Sequence, residues 1–211
     1  MEGFGWADKV MRWLRVLVHL VATHVLMVVG TLAGGVVLGT LPALDAGGRL
    51  LARITEGEPS EHLWHDFWRA WRDGFRRANV IGAPLWGVAA LLLLDTWVVS
   101  AATGSTRAAL GIGLAVATAW FTVVVAHVAP VLRRYDDPPG ATWRFLALAP
   151  ALSPGTALGV VAVAVVWGLT VTVAPVLVPL VGVTVPLLAS GWLVDVRLDR
   201  IDAAAAQDQP G

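Results

Sequence analysis

Five long apolar runs dominate this 211-residue sequence and constrain its fold more than any other feature. They cover residues 14–40, 80–101, 108–131, 155–174 and 176–194. Only 14% of all residues are charged, against about 25% in an ordinary soluble domain. Because the bilayer core holds no water to bond backbone groups, runs of this length are expected to be helices. The sequence therefore predicts an all-α integral membrane protein with about five transmembrane helices, in a single domain over residues 1–202, with a flexible tail over 203–211.

Residues 60–79 form the one long polar and aromatic segment between the first two runs. At helical spacing, its aromatic side chains fall on one stripe and its charged side chains on the opposite face. Aromatic rings opposite guanidinium groups suit the boundary between headgroups and acyl chains, so we predict an interfacial amphipathic helix. Its role is either an anchor that orients the neighbouring spans or a docking surface for a partner. The docking residues would be Trp64, Trp68, Trp71, Arg72, Phe75 and Arg76.

The first run is long for a single span and rich in glycine. At about 1.5 Å per residue it would extend about 40 Å, so its helix is expected to be tilted, kinked or partly outside the hydrocarbon. Gly30 with Gly34, and Gly35 with Gly39, form two small-xxx-small pairs that let another helix approach closely. These glycines predict either a contact within the chain or one with another subunit.

The distribution of basic residues predicts the topology. Residues 41–79 hold six, residues 132–152 hold three and the C-terminal end holds two, whereas Lys9, Arg12, Arg15 and Arg107 make up the other side. By the positive-inside rule, the N-terminus is expected outside, the C-terminus inside, and the amphipathic helix on the cytoplasmic leaflet. The predicted location is the cytoplasmic (inner) membrane of a bacterium.

Asp95 is the strongest candidate for an intramembrane polar site. Asp95 lies about four turns into the second run. Insertion of a carboxylate at this depth of the bilayer costs roughly 2.5 to 3.5 kcal/mol unless the group is paired or hydrated. With an outside N-terminus, Arg15 and His19 would lie near the same depth as Asp95, so either is a candidate partner, and Arg107 in the following loop is another. The site is then either a proton or substrate relay or a structural ion pair.

Several functional classes find no support in the sequence. It contains no nucleophile elbow, phosphate-binding loop, dinucleotide fingerprint or paired catalytic carboxylates. It has no cysteine, and its histidines lack the spacing of a metal site. The net charge is zero, which gives no indication of nucleic-acid binding. We therefore expect no enzyme, no catalytic residues, no cofactor and no metal, and any ATP would be hydrolysed by a separate partner.

A set of motifs resembles the YesL-like family of small bacterial integral membrane proteins, whose biochemical function is unknown. The motifs are the glycine-rich end of the first run leading into Leu41-Pro42-Ala43, the segment FWRAWRDGFRRAN, Asn79 with Gly82, and Pro130 followed by basic residues. The resemblance covers about residues 9–195. It implies an association with carbohydrate uptake systems, often beside ABC permease components.

On this resemblance, the expected function is that of a non-enzymatic accessory subunit of a carbohydrate ABC importer. It would contact the bilayer and pack against the permease subunits through its glycine faces and the amphipathic helix. The alternative is a stand-alone small transporter or channel, with Asp95 and the proline-rich last pair of runs as its site.

Overall fold

The computed structural model describes residues 5–207, which form eight helices joined by short turns. They are α1 (Gly5–Ala33), α2 (Val37–Thr55), α3 (Leu63–Ala101), α4 (Gly104–Arg134), α5 (Pro139–Leu152), α6 (Pro154–Val173), α7 (Leu177–Val181) and α8 (Thr184–Gln207). The protein is thus an all-α membrane protein, as the apolar runs predicted.

Four of these helices are long and apolar enough to cross a membrane: α1, α3, α4 and α6. The predicted span 108–131 lies within α4, and 155–174 matches α6 closely. The fifth predicted span, 176–194, was wrong as one helix, because the chain breaks after Val181 and resumes at Thr184. α8 is not among the four candidates, since its apolar start leads into Asp195, Arg197, Asp199 and Arg200.

The first predicted span, 14–40, is instead a helical hairpin. α1 ends at Ala33 because Gly35 and Val36 adopt positive φ angles of 69° and 63°, which no α-helix accommodates. α2 then folds back along α1. A Cβ at Gly39 would lie 2.7 Å from the carbonyl oxygen of Gly30, so the two backbones meet where the hairpin turns.

Residues 60–79 do not form a separate interfacial helix. From Leu63 they belong to α3, which continues through Asn79 to Ala101 without a break. Their aromatic stripe packs against protein, because Phe67 is fully buried in a cluster with Leu26, Met27 and other residues of α1 and α2. The predicted amphipathic pattern is present, but the part of its apolar face around Phe67 is covered by two helices of the same chain.

A proline and an asparagine join α2 to α3. Pro42 lies inside α2 and has no N–H to donate to the carbonyl oxygen of Leu38, four residues earlier. The side-chain amide of Asn79 on α3 donates to that carbonyl at 3.0 Å. Gly82, one turn further, allows Leu41 to pack tightly, since a Cβ there would lie 2.6 Å from Leu41 Cγ.

The sequence predicted that a flexible tail begins at residue 203, whereas the last helix continues beyond that residue. α8 extends to Gln207, with the alanine run 203–206 as part of its helix, because alanine is the strongest helix former. The remainder of the predicted tail, 208–211, lies outside the described residues.

Candidate functional site

An open cleft of about 360 Å³, lined mainly by charged residues, lies between α2, α3 and the C-terminal end of α4. We call it the charged cleft. Its charged lining residues are Asp45, Arg49, Asp66, Arg69, Asp73, Arg77 and Asp136.

Asp45 lies at the bottom of the charged cleft and is 98% buried, with a relative exposure of 2%. Arg49, one turn later on α2, donates through Nε to Asp45 Oδ2 at 3.2 Å. The other oxygen, Oδ1, is buried without a hydrogen-bond partner in the described part of the chain. Burial raises the pKa of Asp45, while the guanidinium groups of Arg49, Arg77 and Arg133 oppose that rise. Asp45 is therefore the one carboxylate of the cleft whose charge is costly.

A glycine on α3 makes room for this carboxylate. A Cβ at Gly74 would lie 2.8 Å from Asp45 Oδ2, so any larger residue would displace the side chain or separate the two helices. Gly47 and Gly48 on α2 likewise lie close to neighbouring helices, Gly47 to Met27 of α1 and Gly48 to Ala129 of α4. The close approach of three helices around Asp45 thus depends on glycines at the contact points.

Two arginines bind the C-terminal end of α4 across the charged cleft. Arg77 donates to the carbonyl oxygen of Leu132 at 3.0 Å, to that of Tyr135, and to Asp136 Oδ1 at 2.9 Å. Arg49 also reaches the carbonyl oxygen of Leu132, at 3.4 Å. The last carbonyls of a helix have no partner within it and carry partial negative charge, which cations stabilise. Arg49 and Arg77 therefore fix α4 to α2 and α3.

The end of α4 is held on its other side by α8. Arg133 donates to Asp195 at 2.6 Å, and Arg134 donates to Asp195 and Asp199. Tyr135 donates its hydroxyl hydrogen to Asp202 at 2.8 Å. Basic residues of α2, α3 and α4 are thus gathered with the acidic residues of α8 in one charged layer.

The predicted docking residues of the 60–79 segment divide into two groups. Trp68, Trp71 and Phe75 are half-buried, and their rings form a chain with Trp64 at centroid separations of 4.8 to 5.7 Å. Trp64 is 64% exposed, and Arg72 and Arg76 are exposed. The second group is the more exposed of the two.

The glycines proposed as a contact face are used within the chain. Gly30 receives the Phe67 ring, since a Cβ there would lie 2.9 Å from Phe67 Cζ. Gly34 and Gly39 meet each other in the α1–α2 hairpin, and Gly35 supplies a positive φ of 69° for its turn. Of the two roles predicted for these glycines, the internal contact is the one observed.

The structure does not bring Asp95 together with Arg15 and His19. The His19 ring lies with Nε2 3.2 Å from the carbonyl oxygen of Ser60, just before α3 begins. Asp95 is exposed near the other end of α3, about 48 Å further along the helix at 1.5 Å per residue. The prediction placed them at one depth because it treated 14–40 as a single span, and the α1–α2 hairpin removes that basis.

The charged cleft was not predicted from the sequence, although Asp45, Arg49 and Arg53 recur every four residues. The missed signal was the isolation of Asp45 among Pro, Ala, Leu and Gly between Leu41 and Gly48. Arg53 pairs with Asp66 of α3 at 3.1 Å, so two of the three residues join α2 to its neighbours.

No curated protein and no solved structure matches this chain. Residues 20–96, from α1 into the C-terminal half of α3, match the profile of the family described as "Protein of unknown function, DUF624". The matched region includes Asp45, Pro42, Asn79 and Gly82, and so the contacts between α2 and α3. Since YesL-like proteins belong to DUF624, the match over residues 20–96 confirms the family resemblance that the sequence motifs predicted.

Proposed function

We propose that the protein is a non-enzymatic membrane subunit that binds a partner through the exposed basic face of the first half of α3. This basic face comprises His65, Arg69, Arg72 and Arg76, which lie three or four residues apart and so share one side of the helix. Trp64 and Trp68 border it and, with residues of the face, line a shallow depression of about 420 Å³.

The observation that carries the proposal is that two of these arginines, Arg72 and Arg76, are not used in ion pairs within the described part of the protein. Arg49, Arg53 and Arg77 each pair with an aspartate. Arg72 and Arg76 have no such partner among the described side chains and point outward. The opposite side of the helix is fixed against α1 and α2 through Phe67, which makes the basic face rigid. A rigid surface of tryptophan and arginine is the composition of binding hot spots.

The partner we propose is the permease pair of a carbohydrate ABC importer, with ATP hydrolysed by its separate ATPase subunit. This assignment is supported by the resemblance to YesL-like proteins and by the absence of a nucleotide-binding motif in the sequence. Residues 41–79 hold six basic residues, whereas Arg107 is the one basic residue near the turn between α3 and α4. By the positive-inside rule, this difference supports a cytoplasmic position for the basic face, where permease loops or the ATPase would reach it.

Purification of the tagged full-length chain in mild detergent, followed by identification of bound proteins, tests this function. The wild type should retain permease and ATPase subunits. R72E/R76E should lose them, because the two new negative charges would be repelled by the partner surface that binds the arginines. R107E/R144E is the matched control, since it reverses two exposed arginines on other helices and should retain the partners. Equal recovery with R72E/R76E and wild type, both monodisperse, would exclude the basic face as the contact.

The alternative of a stand-alone transporter has less support in the geometry. Its proposed site, Asp95, lies on an exposed apolar stretch of α3 and does not line the charged cleft. Solute uptake by liposomes that contain this chain alone would nevertheless favour the transporter over the accessory subunit.

A further inference from the structure

A second cavity, of about 170 Å³, lies between α2, α4, α6 and α8, apart from the charged cleft. We call it the apolar cavity. Its walls include Leu41, Ala126, Val160, Ala164 and Leu187, and none of its lining residues carries a charge. The alanines at the helix contacts leave the space that larger side chains would fill. The cavity is partly open, so a ligand is able to enter it.

The only hydroxyl groups that line the apolar cavity are already bonded to their own helices. Thr122 donates to the carbonyl oxygen of Thr118 at 2.8 Å, and Ser190 donates to that of Pro186 at 2.6 Å. A polar ligand would therefore find no free donor, and a water molecule needs two to four polar partners to be stable. The chemistry of the walls selects a hydrocarbon.

The position and size of the apolar cavity identify the hydrocarbon. Two of its walls, α4 and α6, are membrane-spanning candidates with exposed apolar faces, so acyl chains surround them. A cavity of about 150 Å³ with aliphatic and aromatic walls takes one benzene-sized molecule. A partner helix, about 10 Å wide, is too large for this space. One end of a flexible chain fits.

We propose that the apolar cavity binds the end of one acyl chain of a membrane phospholipid. Filling the space restores the dispersion contacts that the cavity walls otherwise lack. The lipid would thereby act as part of the packing between α4, α6 and α8. This site is independent of the proposed partner contact, because the basic face lies on the first half of α3.

Photolabelling of the full chain in phospholipid nanodiscs tests the proposal. Two phospholipids are compared, one with a diazirine at the end of an acyl chain and one with a diazirine beside the headgroup. The end-labelled lipid should modify segments 122–129 and 160–164 several-fold more than the exposed second half of α3, and the headgroup-proximal lipid should not. Even labelling of all exposed apolar faces would reduce the site to ordinary surrounding lipid and overturn the proposal.

Two variants complete the test. A164F fills the apolar cavity and should lower the labelling of the cavity segments several-fold. A115F adds the same ring at an exposed position of α4 and should leave the labelling of the cavity segments unchanged. Both are compared as monodisperse protein, and the comparison of the two lipids in wild type stands even if A164F fails to fold. Equal labelling of the cavity segments in A164F and A115F would overturn the proposal.

Discussion

The two halves of α3 show the same secondary structure in two different environments. All of its buried residues lie between Phe67 and Leu85. In the remainder, to Ala101, none is buried, and Leu94 and Trp97 are 62% and 77% exposed. Six of the seven charged residues of α3 lie in the first half, and Asp95 alone lies in the second. Helical charge in this protein is thus concentrated where other helices pack, while lipid solvates the apolar remainder.

The sharpest test of this contrast replaces two isomeric side chains on α3. Ile81 is fully buried between α2 and α4, and Leu94 faces outward. I81A should lower the free energy of unfolding by about 2–5 kcal/mol, because it leaves a cavity in protein, and L94A by less than about 1 kcal/mol, because lipid fills the space. Thermal unfolding of both variants in one detergent measures the difference. Equal losses would mean that the second half of α3 is also covered by protein.

Asp45 provides the second test, because it is the buried charge of the packed half. In the folded protein its pKa is raised from 3.8 by burial, so the folded state keeps a proton that the unfolded chain has already lost. The stability of wild type relative to D45N should therefore fall as the pH rises from about 3.8 through the raised pKa. The slope should be at most about 1.4 kcal/mol per pH unit.

Unfolding of wild type and D45N across this pH range measures the effect. Because the other carboxylates are common to both proteins, their contributions largely cancel in the difference. A difference that is independent of pH would contradict the assigned burial of Asp45.

The sequence predicted the lipid-facing parts of the molecule better than the packed parts. The runs 108–131 and 155–174 found α4 and α6 because hydropathy is a local property of a chain that lipid surrounds. The same signal merged α1 with α2, since Gly35 and Val36 interrupt the helix without interrupting the apolar run. The burial of Asp45 was beyond local pattern, because it depends on Gly74, 29 residues later, and on the end of α4.

The bond from Asn79 to the carbonyl oxygen of Leu38, which Pro42 leaves without a backbone donor, tests how the packed half is joined to α2. N79A leaves the carbonyl oxygen of Leu38 without its donor and should cost about 1 kcal/mol. P42A restores a backbone N–H at residue 42, which is able to donate to the carbonyl oxygen of Leu38. The cost of N79A should therefore be smaller in the P42A background than in wild type, as a double-mutant cycle of unfolding free energies would show. If the two effects are additive, Pro42 and Asn79 do not act on the same carbonyl oxygen.

The last test concerns Tyr135, at the charged end where α4 meets α8. It is the only tyrosine in the sequence, so the absorbance of tyrosinate reports on this residue alone. Burial, and then the bond to Asp202, raise its pKa to about 12 from 10.0. The stability that Tyr135 contributes should be complete below pH 10.0 and lost as the pH rises through about 12.

Absorbance titration of folded wild type should therefore give a midpoint near 12, and D202N should lower that midpoint only part of the way towards 10.0. The shift is partial because burial, the larger cause, remains when the aspartate is neutralised. D73N, which removes an exposed carboxylate from α3, should leave the midpoint unchanged. A wild-type midpoint near 10.0 would mean that α8 does not cover the end of α4, and the packed, charged layer would then be confined to α2, α3 and α4.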